Sequence, residues 1–161
     1  MKTLLLMRHA KSSWKHLEVQ DHDRPLNKRG KADAPRMGRL LRENDLLPDL
    51  IISSTARRAV DSAAAVAEAC GYEGEIEQRD LYGSEAAYYL EVLRGLPDLV
   101  ERVLVVGHNP NMEELLELLT GAAEAMPTAA LAQVTLPISH WRELTEACDC
   151  MLVRLWTPRM L

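Results

Sequence analysis

Short runs of apolar residues recur along the chain and alternate with segments of helical periodicity. Three runs are continuously apolar and bounded by polar residues, which predicts strands that are covered on both faces: Thr3–Met7, Leu50–Ile52 and Val103–Val106. The β-branched character of the last run favours a central strand. Ile76 lies in a possible short edge strand, and Leu131–Leu136 and Met151–Trp156 predict two closing strands.

Four segments between these runs predict helices, and their ends carry capping signals. The predicted helices cover residues 28–44, 56–70, 84–96 and 110–119. Asn27, Ser84 and Asn109 are the expected caps, Gly71 ends the second helix, and Pro110 suits a first helical position. The alternation predicts an α/β fold: a three-layer sandwich in which helices flank a mostly parallel central sheet.

Length and charge limit the possible functions. The 161 residues fit one domain, residues 1–161, and the net charge of −5 argues against nucleic-acid binding as the main role. No segment approaches the roughly 20 apolar residues that span a membrane, so a cytoplasmic location and no membrane partner are expected. The spacing of the three cysteines fits neither a zinc site nor an ordinary disulfide.

Two histidines follow predicted strands in equivalent positions. His9 comes directly after the first strand, and His108 comes after the run Val103–Val106. In an open α/β sheet, ligands bind outside the carboxyl ends of the strands, so both imidazoles are expected at one crevice. Arg57 and Arg58 begin a helix after the strand Leu50–Ile52, and only one of them can face the crevice. We expect Arg58 inside and Arg57 in solvent.

Phosphoryl transfer needs little more than this set of side chains. Arginine offers fixed charge and bidentate donors to phosphate, a role that suits Arg8 and Arg58. A neutral imidazole is a competent nucleophile, so His9 could carry the phosphoryl group while His108 donates a hydrogen bond to it. A metal hydrolase is the alternative use of two histidines. The chain lacks a His-Glu-x-x-His motif and a carboxylate close to either histidine, so no metal or other cofactor is expected.

Three motifs in this order resemble the histidine phosphatase superfamily, the phosphoglycerate-mutase-like enzymes. The stretch 6–12, Leu-Met-Arg-His-Ala-Lys-Ser, is similar to the family's Arg-His-Gly opening. Residues 54–59 resemble its Ser-x-x-x-Arg-Ala element, and residues 105–110 resemble its second-histidine element. The resemblance implies a phosphoglycerate-mutase-like fold and a phosphate-binding role for Arg58.

The short chain and two further features resemble the SixA-like phosphohistidine phosphatases. Residues 23–26, Asp-Arg-Pro-Leu, with Gly30 are similar to that branch's Arg-Pro-Leu element, which implies that Arg24 also contacts phosphate. The Gly-His-Asn-Pro form around His108 is the second feature. The implied substrate is phosphohistidine in a protein, for example a phosphotransfer domain. A small-metabolite phosphatase, and a catalytically weak module that binds phosphorylated partners, remain alternatives.

Two departures from the family pattern affect these expectations. Ala10 stands where the wider family has glycine, so the turn after His9 could differ. The wider family also has an acidic proton donor, and in this chain neither Asp80 nor Glu85 falls in a clear motif. An enzyme without that donor would favour labile bonds to phosphorus, such as the phosphoramidate of phosphohistidine.

The remaining candidates lie around the long loop 10–26. Lys11, Ser12 and Asn109 are possible pocket residues, and Trp14 could either line the site or pack against the domain. Asp21 is expected to balance nearby arginines. Whether the loop closes over the site is left open by the sequence.

Overall fold

A six-stranded sheet with four α-helices is formed by the residues that the computed structural model describes, 1–146 and 148–161. The strands are β1 (Lys2–Arg8), β2 (Leu50–Ser54), β3 (Ile76–Arg79), β4 (Arg102–Gly107), β5 (Leu131–Leu136) and β6 (Met151–Trp156). The helices are α1 (Lys28–Glu43), α2 (Arg57–Cys70), α3 (Ala86–Arg94) and α4 (Asn111–Thr120). Every predicted strand and helix is present.

The strand order is β3-β2-β4-β1-β5-β6. The first four strands in this order are mutually parallel, β5 is antiparallel to β1, and β6 is antiparallel to β5. The sheet is therefore mostly parallel, with β4 at its centre and β3 at one edge, as predicted. The parallel arrangement directs the carboxyl ends of β1, β2 and β4 to one edge of the sheet.

The two faces of the sheet bury separate hydrophobic cores. Alternate residues of β1 divide between them: Leu4 and Leu6 pack with α3 and α4, whereas Leu5 and Met7 pack with α1 and α2. The continuous apolar runs are explained by this covering on both sides, because each strand needs apolar side chains in both directions. The predicted three-layer sandwich is confirmed.

Two predicted helix caps are wrong by one residue. Glu85, not Ser84, precedes α3, because the Ser84 hydroxyl donates to the Leu81 carbonyl (2.9 Å) instead. Pro110, not Asn109, precedes α4, and the Asn109–Pro110 peptide bond is cis. By contrast, Asn27 caps α1 as predicted, with its side chain accepting from the Gly30 N–H (2.9 Å).

The two ends of the loop 10–26 are hydrogen-bonded to each other, whereas the residues at its tip are exposed. Ser12 bridges to Leu26, and the Ser13 N–H donates to the Pro25 carbonyl (2.8 Å). The tip projects into solvent, where Trp14 is 70% and Leu17 90% exposed. Among the described residues, none of the helices has the length and apolar character to cross a membrane.

Candidate active site

An open cleft of about 640 Å³ lies at the carboxyl ends of β1, β2 and β4. It contains all eight residues that the sequence proposed for the site: Arg8, His9, Lys11, Ser12, Arg24, Arg58, His108 and Asn109. They converge because β1 and β4 are paired in parallel with Arg8 opposite Gly107, so the residues that follow these strands meet.

His9 is buried and held in one tautomer. Its Nδ1 lies 2.8 Å from the Ala10 carbonyl oxygen, and because a carbonyl can only accept, Nδ1 carries the proton. The lone pair of the neutral ring is therefore on Nε2, which has no hydrogen-bond partner among the described residues. Burial, followed by the charges of Arg58, Arg8 and Arg24, lowers the pKa of His9 to about 4, although the bond to Ala10 opposes this. The ring is neutral at physiological pH.

His108 faces His9, with 5.2 Å between the ring centroids. Its Nε2 lies 2.8 Å from the Ser54 hydroxyl at the end of β2, and its backbone N–H donates to the Tyr89 hydroxyl (3.2 Å). Gly107 makes the second contact possible, because a Cβ there would overlap that hydroxyl and the Met112 side chain. Burial and the neighbouring His9 and Arg58 lower the pKa of His108 to about 3.

Three arginines give the cleft its positive charge. Arg24 and Arg58 are buried, whereas Arg8 is half-buried and donates to the Met126 carbonyl (3.2 Å). The buried Nε atoms of Arg8 and Arg58 have no acceptor among the described residues. Buried donors are normally paired, so an oxyanion in the cleft would supply acceptors that these guanidinium groups lack.

One carboxylate connects two of these arginines. Asp21 accepts from Arg24 Nε (3.0 Å) and from Arg58 Nη2 (3.1 Å), and the Tyr82 hydroxyl also donates to it (2.8 Å). Burial raises the pKa of Asp21, but the bonds from Tyr82 and Arg24 and the charge of Arg58 outweigh it and lower the pKa to about 2. The expected balancing role of Asp21 is confirmed, whereas its bridging of Arg24 and Arg58 was not predicted.

The substitution of alanine for glycine at position 10 is accommodated without strain. Ala10 has no positive φ and its side chain is fully buried in the core of α1 and α2. Its N–H donates to the Ser62 hydroxyl (2.9 Å), which in turn donates to the Arg58 carbonyl (2.6 Å). The turn after His9 is thus tied directly to the helix that carries Arg58.

Several polar residues considered in the sequence either have their hydrogen-bond donors in use elsewhere or lie outside the cleft. The side-chain N–H groups of Asn109 are already used by Glu113 and the Met126 carbonyl (both 2.9 Å). Arg57 is exposed, as predicted, and pairs with Asp61 (3.5 Å). Asp80 and Glu85 are exposed and do not line the cleft.

Two aromatic residues line the cleft as well. The Trp14 ring lies 3.4 Å from the Arg24 guanidinium carbon, so the alternative in which it packs into the domain is wrong. Tyr82 also lines the cleft, with its ring 5.7 Å from that of His108. The sequence left the place of Trp14 open, because it depends on contacts between distant segments.

Comparisons with known proteins agree with this geometry. The family model of the histidine phosphatase superfamily, branch 1, matches residues 4–80. A Mycobacterium tuberculosis protein of uncharacterised function is 33% identical over 165 residues, which cover 95% of this chain and all of that protein. This chain belongs to the histidine phosphatase superfamily. The first two motifs identified in the sequence, around His9 and Arg58, fall within the matched residues.

Two solved structures place this histidine phosphatase in the SixA-like branch. A protein from Nakamurella multipartitia assigned as the phosphohistidine phosphatase SixA is 29% identical, with a TM-score of 0.84 over 98% of this chain and 96% of that one. Its counterpart from Agrobacterium tumefaciens is also 29% identical, with a TM-score of 0.81 over 98% of both chains. The phosphoglycerate-mutase-like fold and the phosphatase class are confirmed.

Proposed function

We propose that this phosphatase hydrolyses phosphohistidine in a protein substrate, through a covalent phosphohistidine intermediate on His9. In the first step, the Nε2 lone pair of His9 attacks phosphorus while the phosphorus–nitrogen bond of the substrate breaks. The substrate enters with its other ring nitrogen protonated, so it takes that electron pair and leaves as a neutral imidazole. In the second step, water attacks the phosphoryl group on His9, which releases inorganic phosphate and restores the neutral ring.

The arginines and His108 would hold the phosphoryl group through both steps. Charge is spread over the three equatorial oxygens during transfer, so fixed positive charge from Arg8, Arg24 and Arg58 favours the transition state. The Ser54 hydroxyl accepts from the Ala56 N–H (3.2 Å) and can donate its own proton to His108 Nε2. The proton of a neutral His108 then lies on Nδ1, where it is a hydrogen-bond donor for a phosphoryl oxygen.

The observation that carries the choice of substrate is that no carboxylic acid among the described residues lines the cleft to act as a proton donor. Asp21 has a pKa of about 2 and three donors on its carboxylate. An alkyl phosphate ester needs an acid to protonate its leaving oxygen, a contribution of about 10²–10⁴-fold. Phosphohistidine that is protonated on its other ring nitrogen releases a neutral imidazole and needs no such acid, which supports phosphohistidine as the substrate.

The test compares three substrates in EDTA: a peptide with one phosphohistidine, p-nitrophenyl phosphate and glycerol phosphate. We expect phosphate release from the phosphohistidine peptide to exceed release from the alkyl ester by at least about 10²-fold, with the aryl ester between them. His9→Ala should abolish release from all three substrates. When the reaction is stopped without acid, which preserves phosphohistidine, the His9→Ala protein should carry no phosphoryl group. His140→Ala, at a partly exposed position that does not line the cleft, is the matched control and should retain wild-type activity.

The alternatives predict different outcomes of the same test. Faster release from glycerol phosphate than from phosphohistidine would favour a small-metabolite phosphatase. Folded protein without activity on any substrate would favour the binding module. A phosphotransfer domain as the natural partner, the absence of a cofactor and a cytoplasmic location stay predictions from the sequence.

A further inference from the structure

A second cavity, a groove that adjoins the active-site cleft, is lined by cations. It has a volume of about 470 Å³, and its charged lining residues are Lys15, Lys28, Lys31 and Arg57. Neither this groove nor the cleft is lined by any Asp or Glu of the described residues, although the chain has 24 of them against 19 Lys and Arg. Eight of those 19 cations line the two cavities, so positive charge is concentrated on this part of an acidic protein.

Residues that are adjacent in the chain line the groove and the cleft. Consecutive residues of the loop alternate between them: Trp14 lines the cleft, whereas Ser13 and Lys15 line the groove. At the start of α2, Arg57 lines the groove and Arg58 the cleft. Consecutive Cα atoms are about 3.8 Å apart. A molecule with a phosphoryl group in the cleft would therefore reach the groove with residues close to its phosphorylated side chain.

The cations of the groove are available to a partner. Lys15, Lys28 and Lys31 are exposed and make no ion pair in the part of the chain that the structure describes. Arg57 has Asp61 as a neighbour at 3.5 Å, but its side chain stays 59% exposed. Leu17, two residues after Lys15 in the same loop, is 90% exposed.

We propose that this cationic groove docks an acidic surface of the protein that carries the phosphohistidine. The proposal rests on the proposed function, and it adds a selection that the cleft alone does not provide. The cleft recognises the phosphoryl group, whereas the groove selects partners with carboxylates near the phosphorylated histidine. Complementary charge of this kind steers encounter and excludes partners of the wrong sign. An acidic protein surface is favoured over nucleic acid because the remaining surface, with the excess of Asp and Glu, would repel a long polyanion.

The experiment measures binding of two fluorescent phosphohistidine peptides of equal length by anisotropy, one flanked by glutamates and one by lysines, with all proteins carrying His9→Ala so that the peptides are not hydrolysed. We expect the acidic peptide to bind about tenfold more tightly at low salt, with the advantage shrinking as ionic strength rises. Lys28→Ala/Lys31→Ala should remove most of the advantage. The matched control, Arg39→Ala/Arg42→Ala, removes two exposed cations of the same helix outside the groove and should preserve it.

Turnover separates this proposal from the proposed function. The groove variant should raise KM for the acidic peptide severalfold with kcat unchanged, and should leave hydrolysis of free phosphohistidine as in the wild type. A binding preference without turnover of either peptide would refute the proposed function and leave the docking surface standing. Equal binding of the two peptides, or equal loss in the groove and control variants, would overturn the docking surface. Tighter binding of a single-stranded DNA oligonucleotide than of the acidic peptide would replace the protein partner by nucleic acid.

Discussion

At the scale of single residues, the two histidines of the site are neutral because the fold buries them among arginines. His9 and His108 have pKa values of about 4 and about 3 in the folded protein, against an ordinary value of 6.5. This neutrality keeps the lone pair of His9 available, and it has a cost in stability at low pH. Between pH 6.5 and 4, the unfolded chain binds protons at these positions that the folded protein does not.

The free energy of unfolding should therefore fall as the pH is lowered from 6.5 to 4. The stabilising effect of the carboxylate of Asp21, whose pKa is lowered from 3.8 to about 2, is lost only below this window. We expect each histidine to contribute up to about 3 kcal/mol to the change, because one pKa unit corresponds to about 1.4 kcal/mol. Denaturant unfolding in phosphate-free buffer measures it, and His9→Gln and His108→Gln should each show a shallower dependence. The same slope in both variants and the wild type would show that other groups cause the loss of stability.

At the scale of elements, the strands and helices were predictable and the helix caps were less so. Strands buried on both faces leave continuous apolar runs, and these runs identified β1, β2 and β4 in the sequence. A cap depends on which of several nearby groups a short side chain bonds. Ser84 and Asn109 are both good capping residues, but one bonds the Leu81 carbonyl and the other Glu113.

The start of α1 holds the loop that carries Arg24. Gly30, within the helix, packs against the backbone of Lys11, and a Cβ at this position would overlap the Lys11 carbonyl oxygen. That carbonyl also accepts from the Asn27 N–H (3.0 Å), so the helix and the base of the loop cannot separate freely. The glycine therefore has a packing role and gives close approach, not turn flexibility.

Gly30→Ala should destabilise the protein, although alanine is the better helix former. Overpacking of this kind costs about 1–3 kcal/mol, and displacement of Lys11 should also lower kcat/KM. Thermal unfolding and steady-state kinetics measure the two effects. Gly95→Ala, at the end of α3 where a Cβ would have only ordinary contacts at 3.6 Å and beyond, is the control and should change stability by less than about 0.5 kcal/mol. A stabilised Gly30→Ala variant would show that the contact relaxes.

At the scale of the whole molecule, the sequence predicted the residues at strand ends better than those brought in from loops. His9, His108 and Arg58 follow strands whose neighbours are set by the sheet, so their meeting point could be inferred. The bridge from Asp21 to two arginines, and the place of Tyr82 beside them, depend on the path of the loop 10–26 across α2. The sequence has no periodic pattern from which that path could be predicted.

Binding of an oxyanion in the cleft should also raise the free energy of unfolding of the whole protein, because the anion binds the folded cleft and not the unfolded chain. Tungstate, a mimic of the phosphoryl group, should raise the Tm, and at about 100 times its Kd the gain is about 2.7 kcal/mol. For a domain of this size, this corresponds to a rise of several degrees. Arg58→Ala should lose most of the rise, because it removes a buried guanidinium from the cleft. Arg39→Ala, outside the cleft, should retain it. Differential scanning fluorimetry decides between these outcomes. An equal rise in both variants would mean that Arg58 does not hold the anion, and its proposed phosphate-binding role would then have to be abandoned.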